Sequence, residues 1–285
     1  MQVGSRGAGD FIRCGKVVEL DAGLGVGVHA VTLPVPRAPY AAAVPETDST
    51  SPHAAAVVLA SGAGTRVGAE LNKVYLPLGG RRLVWWSLRA FAGVPGIGTL
   101  VLVIRPQDAE LAGEVLEGFD GAVEVVHGGA TRQESELNAL RHLGKRIEDG
   151  RIDTVLLHDG ARPLVGRELV ERVLSTAREH GGAVPGLVAG DLLAVTGEGT
   201  ATGRPPGTAV RVQTPQGFHA DALLAAYEQA ASEGFAGTDT ASCMERFATL
   251  PVHWVPGEQL NLKVTYPHDV PIAERMLPVP RRTLR

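Results

Sequence analysis

Leu59-Ala60-Ser61-Gly62-Ala63-Gly64-Thr65-Arg66-Val67-Gly68-Ala69-Glu70-Leu71-Asn72-Lys73-Val74-Tyr75 is the stretch on which the reading of this chain turns. It continues an apolar run at residues 54–59 whose length and composition predict the first core strand. Gly62 and Gly64 carry no Cβ, so backbone N–H groups at Ser61 to Gly64, including Ala63, can close on an anion as the chain leaves that strand. Arg66 and Lys73 add charge, and a nucleoside triphosphate is the guest such a loop suits.

Two better-known phosphate loops do not fit. The dinucleotide-binding pattern needs a glycine where this chain has Val67, and Gly68 comes one position late. A Walker loop needs Gly-Lys-Ser or Gly-Lys-Thr after four spacer residues, whereas Lys73 lies far downstream with no hydroxyl beside it. Taken alone, the segment also reads as a glycine-rich turn with surface charges.

With 285 residues, 44% hydrophobic and 20% charged, the chain is long and apolar enough for one large domain or two small ones. A net charge of -4 argues against a broad nucleic-acid surface, so cations that bind phosphate have to be concentrated locally. Cys14 and Cys243, far apart, suggest neither a disulfide framework nor a zinc site, and the cytoplasm is the expected compartment.

Residues 1–52 are rich in Gly, Ala and Pro and close on Pro-Glu-Thr-Asp-Ser-Thr-Ser-Pro, a linker-like run. This segment is expected to be poorly ordered or accessory, with a possible strand pair at residues 16–32. Its longest uncharged stretch, residues 22–36, is broken by His29 and prolines, and makes neither a signal peptide nor a membrane span.

From residue 53 onward a single domain is expected, with strand-like and helix-like patterns alternating. Short apolar runs at 54–59, 99–104, 123–126, 153–157 and 183–188 suit strands covered on both faces. Residues 83–91, 108–116, 132–143 and 168–180 carry apolar side chains at three- and four-residue spacing and predict crossover helices. The fold class that follows is α/β, a three-layer sandwich around a mainly parallel sheet. Ligands bind outside the carboxyl ends of such strands, so the residues just after each run matter most.

After the third run come Gly128 and Gly129, which let backbone approach a flat base, with Ser135 one turn into the next helix offering a hydroxyl. After the fourth come His158, Asp159, Gly160, Ala161 and Arg162; Asp159 is placed to hold Mg²⁺ or a ribose hydroxyl, and Arg162 to neutralise phosphate or anchor Asp159. Farther on, Thr214, Thr238 and Lys263 form a candidate second anion pocket for a co-substrate phosphate. Each alone is equally a cap, a turn or a surface charge.

The ordered set Ala-Ser-Gly-Ala-Gly-Thr-Arg with Lys73, Gly-Gly-Ala-Thr-Arg-Gln-Glu-Ser, His-Asp-Gly-Ala-Arg-Pro, Thr-Pro-Gln, Thr-Asp-Thr-Ala-Ser and Asn-Leu-Lys-Val-Thr resembles the 2-C-methyl-D-erythritol 4-phosphate cytidylyltransferases over residues 54–276. The resemblance implies a Rossmann-like nucleotidyltransferase fold and a homodimer clasped by an extended arm at about residues 186–211. It also implies CTP and a polyol phosphate as substrates and a step of non-mevalonate isoprenoid biosynthesis; no nucleic-acid or membrane partner is expected from the charge and hydropathy above. Carried over by position, Gly62, Gly64, Arg66 and Lys73 bind the CTP phosphates, and Ala60, Gly129 and Ser135 hold the cytidine. Asp159 and Gly160 sit by the ribose and Mg²⁺, while Arg162, Thr214, Thr238 and Lys263 line the acceptor side. Arg66, Lys73 and Lys263 are the catalytic charges.

The chain departs from the family pattern at Leu59, Val67 and Asn72, where Pro, Met and Pro are usual, and at Ala130, where an acid is expected. In the arm it keeps Asp191 but continues Leu192, Leu193, Ala194, Val195, without the usual threonine and basic residue, and Arg204 and Arg211 both lie near the place of the arm arginine. An acceptor such as ribitol 5-phosphate, or a non-catalytic nucleotide-binding subunit, therefore stays open. A nucleotide-sugar glycosyltransferase would usually carry Asp-x-Asp, which is not present.

Overall fold

In the three alanines and two valines that precede Leu59, alternate side chains face opposite ways, and both faces are covered. Ala54, Ala56, Val58 and Ala60 join one apolar cluster, and Ala55, Val57 and Leu59 join another. Small side chains on a central strand let helices approach from both sides, which is the three-layer arrangement the sequence predicts. The structure, a computed structural model, describes residues 18–19, 29–32, 52–62, 72–204, 207–237 and 239–277.

The strands are, in chain order, β1 (Val18–Glu19), β2 (His29–Thr32), β3 (His53–Leu59), β4 (Pro77–Leu78), β5 (Arg81–Arg82), β6 (Ile97–Ile104), β7 (Glu124–His127), β8 (Ile152–Asp159), β9 (Gly182–Val188), β10 (Ala194–Val195), β11 (Ala201–Gly203), β12 (Val210–Val212), β13 (Gln216–His219) and β14 (Val252–Pro256). The helices are α1 (Leu83–Phe91), α2 (Ala109–Leu116), α3 (Arg132–Glu148), α4 (Arg167–His180), α5 (Ala220–Ser232), α6 (Thr240–Phe247) and α7 (Asp269–Met276).

The main sheet runs β1-β2-β7-β6-β3-β8-β13-β9, with β14 on one edge of β9. Strands β7, β6, β3 and β8 pair in parallel, and β14 is parallel to β9. Strand β13 enters antiparallel between β8 and β9. Because β14 occupies one edge of β9, β12 and β13 share the other, as two halves of one strand interrupted at Gln213, Thr214 and Pro215. The Thr214–Pro215 bond is cis. Helices α1, α2 and α4 cover one face, and α3, α5 and α6 the other. Among residues 1–52, β1 pairs with β2, and β2 pairs with the outer edge of β7, so the expected strand pair is present in the backbone. Of the linker-like run at 45–52, residues 45–51 lie outside the described residues.

Beyond β9 the chain leaves the sheet, forms the β10–β11 hairpin and returns as β12. Leu193 and Val195 on this excursion are 66% and 62% exposed, and Val188, at the end of β9, is 62% exposed. Of the cysteines, Cys243 is buried. Among the described residues no helix is long and apolar enough to cross a membrane.

Candidate active site

The carboxyl ends of β3, β7 and β8 meet at a cavity of about 710 Å³, a volume suited to a small-molecule ligand. Its wall includes Ser61, Gly62, Lys73, Gly128, Gly129, Arg132, Asp159, Gly160 and Lys263. The parallel register sets Leu59 opposite Asp159, and Gly160 N–H donates to Leu59 O at 2.9 Å. A Cβ on Gly160 would lie 2.7 Å from that oxygen, so glycine is required for this close approach.

Gly128 and Gly129 are held from beneath by Ser135, which is buried. Its hydroxyl donates to Thr131 O at 2.8 Å, and receives hydrogen bonds from Ser61 Oγ at 2.8 Å and Gly129 N–H at 3.1 Å. A Cβ on Gly128 would fall 2.6 Å from Ser61 Cβ, which explains the glycine at this crossing. Helix α3 then starts with a capping box between Thr131 and Glu134, a device contributing about 1 kcal/mol. The cap fixes Arg132, the first residue of α3, at the rim.

Lys73 opens a short 3-10 turn (Lys73–Tyr75) whose cap is Asn72. Asn72 is buried, donates to Ala60 O at 2.7 Å and to Asp108 Oδ2 at 3.1 Å, and Asp108 is gripped through both oxygens by Arg105. Side-chain hydrogen bonds thus anchor the residue before Lys73. Lys263 comes from a segment without regular structure that is pinned on both sides. Asn261 Nδ2 donates to Thr214 O at 2.8 Å, Val264 N–H donates to Ala161 O at 2.9 Å, and Val264 is fully buried.

Asp159 is the centre of charge. Lys263 Nζ lies 2.7 Å from its Oδ2, Arg162 Nε lies 3.7 Å from the same oxygen, and Arg132 Nη1 pairs with Oδ1. Burial pushes this carboxyl up, but Arg132, Lys263 and Arg162 together hold it well below the usual carboxylate range. Cations exceed the anion at this point, so the wall is prepared for further negative charge.

Next to it His158 is fully buried, and burial pulls its pKa down to about 3. The neighbours assign its tautomer. Arg162 O can only accept, so Nε2 carries the proton, at 3.2 Å; Nδ1 then accepts from Thr214 Oγ1 at 3.1 Å, and Thr214 Oγ1 accepts from Asp159 N–H at 3.0 Å.

The sequence-predicted residues divide accordingly. Ser61, Gly62, Lys73, Gly128, Gly129, Asp159, Gly160 and Lys263 are together on the cavity wall. Ala60, Ser135 and Thr214 are buried behind it: Ala60 N–H and C=O bond to Val103 and Asn72, and the Thr214 hydroxyl is engaged by Asp159 and His158. They support the wall where contact with ligand was expected. Arg162 also stands behind, with Nη1 donating to Asn261 O at 2.7 Å. Ala63, Gly64, Arg66 and Thr238 lie outside the described residues. Sequence reasoning missed Arg132 and Arg105, both on the wall. For Arg132 the available signal was its place directly after the Gly128-Gly129 loop, at the start of a helix.

Among the described residues no cluster of three or more His, Cys, Asp or Glu side chains could hold a metal ion. Asp159 is the one carboxylate on the cavity wall among those residues. A single carboxylate with substrate phosphates is an ordinary donor set for Mg²⁺, so the residues present fit a cation that arrives with a nucleotide.

The model of the family described as 2-C-methyl-D-erythritol 4-phosphate cytidylyltransferase matches residues 54–278. The chain is 43% identical over 229 residues to the 2-C-methyl-D-erythritol 4-phosphate cytidylyltransferase of Cereibacter sphaeroides, covering 78% of this chain and 96% of that protein. To the enzyme of the same name from Geotalea uraniireducens it is 38% identical over 226 residues, 78% and 95% covered. The crystal structure of the Thermus thermophilus enzyme superposes with a TM-score of 0.60 at 33% identity, covering 79% of this chain and 98% of that one. These matches, spanning the sheet, its helices and the cationic cavity, make the chain a member of the 2-C-methyl-D-erythritol 4-phosphate cytidylyltransferase family.

Proposed function

We propose that this protein joins CTP to 2-C-methyl-D-erythritol 4-phosphate, giving 4-diphosphocytidyl-2-C-methyl-D-erythritol and pyrophosphate, in the cytoplasm. The observation that carries this reading is the convergence of Lys263, Arg132 and Arg162 on Asp159 beside Lys73, in a cavity floored by glycines. Such a wall suits a triphosphate and a second phosphate brought close together.

A phosphate oxygen of the acceptor attacks the α-phosphorus of CTP; the new P–O bond forms as the bond to the β-phosphate bridge breaks, and pyrophosphate leaves with that electron pair. The acceptor phosphate is a dianion near neutral pH and needs no protein base. Lys73 and Lys263 offset the negative charge that builds in the transition state, and Arg66 is placed by the family motif to do the same. Gly128 and Gly129 leave room for the flat base. Asp159 would hold Mg²⁺, which supplies charge neutralisation on the phosphates. The β10–β11 excursion, with its exposed Leu193 and Val195, is the homodimer arm.

The alternative acceptor is another polyol phosphate such as ribitol 5-phosphate, over which the family match and the relatives favour 2-C-methyl-D-erythritol 4-phosphate. Pyrophosphate release from CTP, measured with each acceptor in turn, decides between them. Release with neither, despite tight CTP binding, would replace both by a regulatory nucleotide-binding role.

A further inference from the structure

Glu136 takes no part in the chemistry above, yet it is buried, 1% exposed, on the inner side of α3. Its Oε1 accepts from Arg132 Nε at 2.9 Å and from Thr240 Oγ1 at 3.2 Å, while Oε2 accepts from Tyr227 OH at 2.6 Å. Arg132, one turn earlier on the same helix, extends past it to Asp159. A guanidinium is planar and rigid, so carboxylates gripping two of its nitrogens fix both its position and its rotation.

Placing a carboxylate here is unfavourable in itself, and burial pushes the Glu136 carboxyl up. Ala139 and Leu140 of α3 and Leu223 and Ala226 of α5 belong to the apolar core on this face of the sheet. An aliphatic side chain would pack there without desolvating a charge. What an aliphatic residue cannot do is hold Arg132.

We propose that Glu136 is a positioning residue that locks Arg132 in the orientation presenting Asp159 to the bound nucleotide, and that Tyr227 of α5 and Thr240 of α6 brace the lock. The inference rests on the nucleotide-binding reading of the same cavity. It predicts a defect confined to CTP, because the hydrogen bonds that link Glu136 to Asp159 run through Arg132.

The test uses the full chain. The Kd for CTP with Mg²⁺ is measured by titration calorimetry, and the KM values for CTP and acceptor by pyrophosphate release, for Glu136→Gln, Glu136→Leu, Arg132→Lys and the double variant Glu136→Gln/Arg132→Lys. Either Glu136 variant whose thermal melt shows a folded protein should bind CTP about tenfold more weakly, as loss of an outer-shell partner commonly does. The acceptor KM should stay within about twofold, and the double variant should be no worse than its weaker single. An unchanged CTP Kd in a folded Glu136 variant, an equal rise in both KM values, or effects that multiply in the double variant would overturn the proposal. Failure of the unaltered chain to bind CTP would instead remove the functional reading beneath it.

Discussion

Lys263 Nζ stands 2.7 Å from Asp159 Oδ2, closing an ion pair between the C-terminal segment and the end of β8. Asp159 keeps Arg132 and Arg162 when Lys263 is removed, so the fold does not depend on this pair alone. Lys263→Met should therefore leave a protein with a near-normal thermal melt whose turnover falls about 10²-fold, the usual effect of losing one charge-stabilising donor. Initial rates of pyrophosphate release check this, and near-normal turnover would remove Lys263 from the catalytic set.

Lys73 lines the same cavity, on a turn capped by buried Asn72. Lys73→Ala should lower turnover by at least ~10²-fold for the same reason. Asn72→Ala separates position from charge: it keeps the lysine but removes the bonds to Ala60 and Asp108. A smaller fall is expected in it, and identical kinetics for Asn72→Ala and the unaltered chain would show that the turn holds Lys73 without that cap.

Much of this was legible in the sequence, because local pattern and local structure coincide for buried parallel strands and their crossover helices. Residues 83–91 and 168–180 carry helical periodicity, and the structure has α1 at Leu83–Phe91 and α4 at Arg167–His180. Strand β13 was not legible as a separate element. It is four residues long, and its antiparallel place between β8 and β9 is set by partners remote in sequence. The site divides along the same line. Glycines and strand-end charges advertise the wall, whereas the engagement of the Thr214 hydroxyl by Asp159 and His158 depends on β8 meeting the β12–β13 break. Arg132 and Glu136 are four apart on one helix, a spacing that in sequence looks like any surface ion pair.

The exposed arm makes its own prediction. Isolated apolar residues on a surface are ordinary, but Val188, at the end of β9, and Leu193 and Val195, on the excursion beyond it, are all exposed within one short stretch of chain. If the arm clasps a second copy, Leu193→Asp with Val195→Asp should shift the species seen by light scattering from a dimer to the 29.8 kDa monomer. A chain that is already monomeric before substitution, or a dimer that survives both aspartates, would assign the interface elsewhere.

His158 links acid stability to the site. In the folded chain burial holds its pKa near 3, against 6.5 for an unperturbed imidazole. Between those values the unfolded chain binds a proton that the native chain does not, so stability rises with pH across the window and is lost as pH falls from 6.5 toward 3. At pH 5 the lost stability from this one group is about 2 kcal/mol, and at pH 7.5 it is close to nothing. Other groups act in the same window; burial also lowers the pKa of His53, so substitution at His158 should flatten the acid slope without abolishing it. In His158→Gln the side-chain amide can offer one acceptor to the Thr214 hydroxyl and one donor to Arg162 O while carrying no titratable proton. Urea midpoints at pH 7.5 and pH 5 should thus converge more closely in His158→Gln than in the unaltered chain. Equal pH slopes in the two proteins would mean that His158 takes up its proton without unfolding the end of β8, and that the hydrogen-bond chain from Arg162 through His158 and Thr214 to Asp159 tolerates the imidazolium.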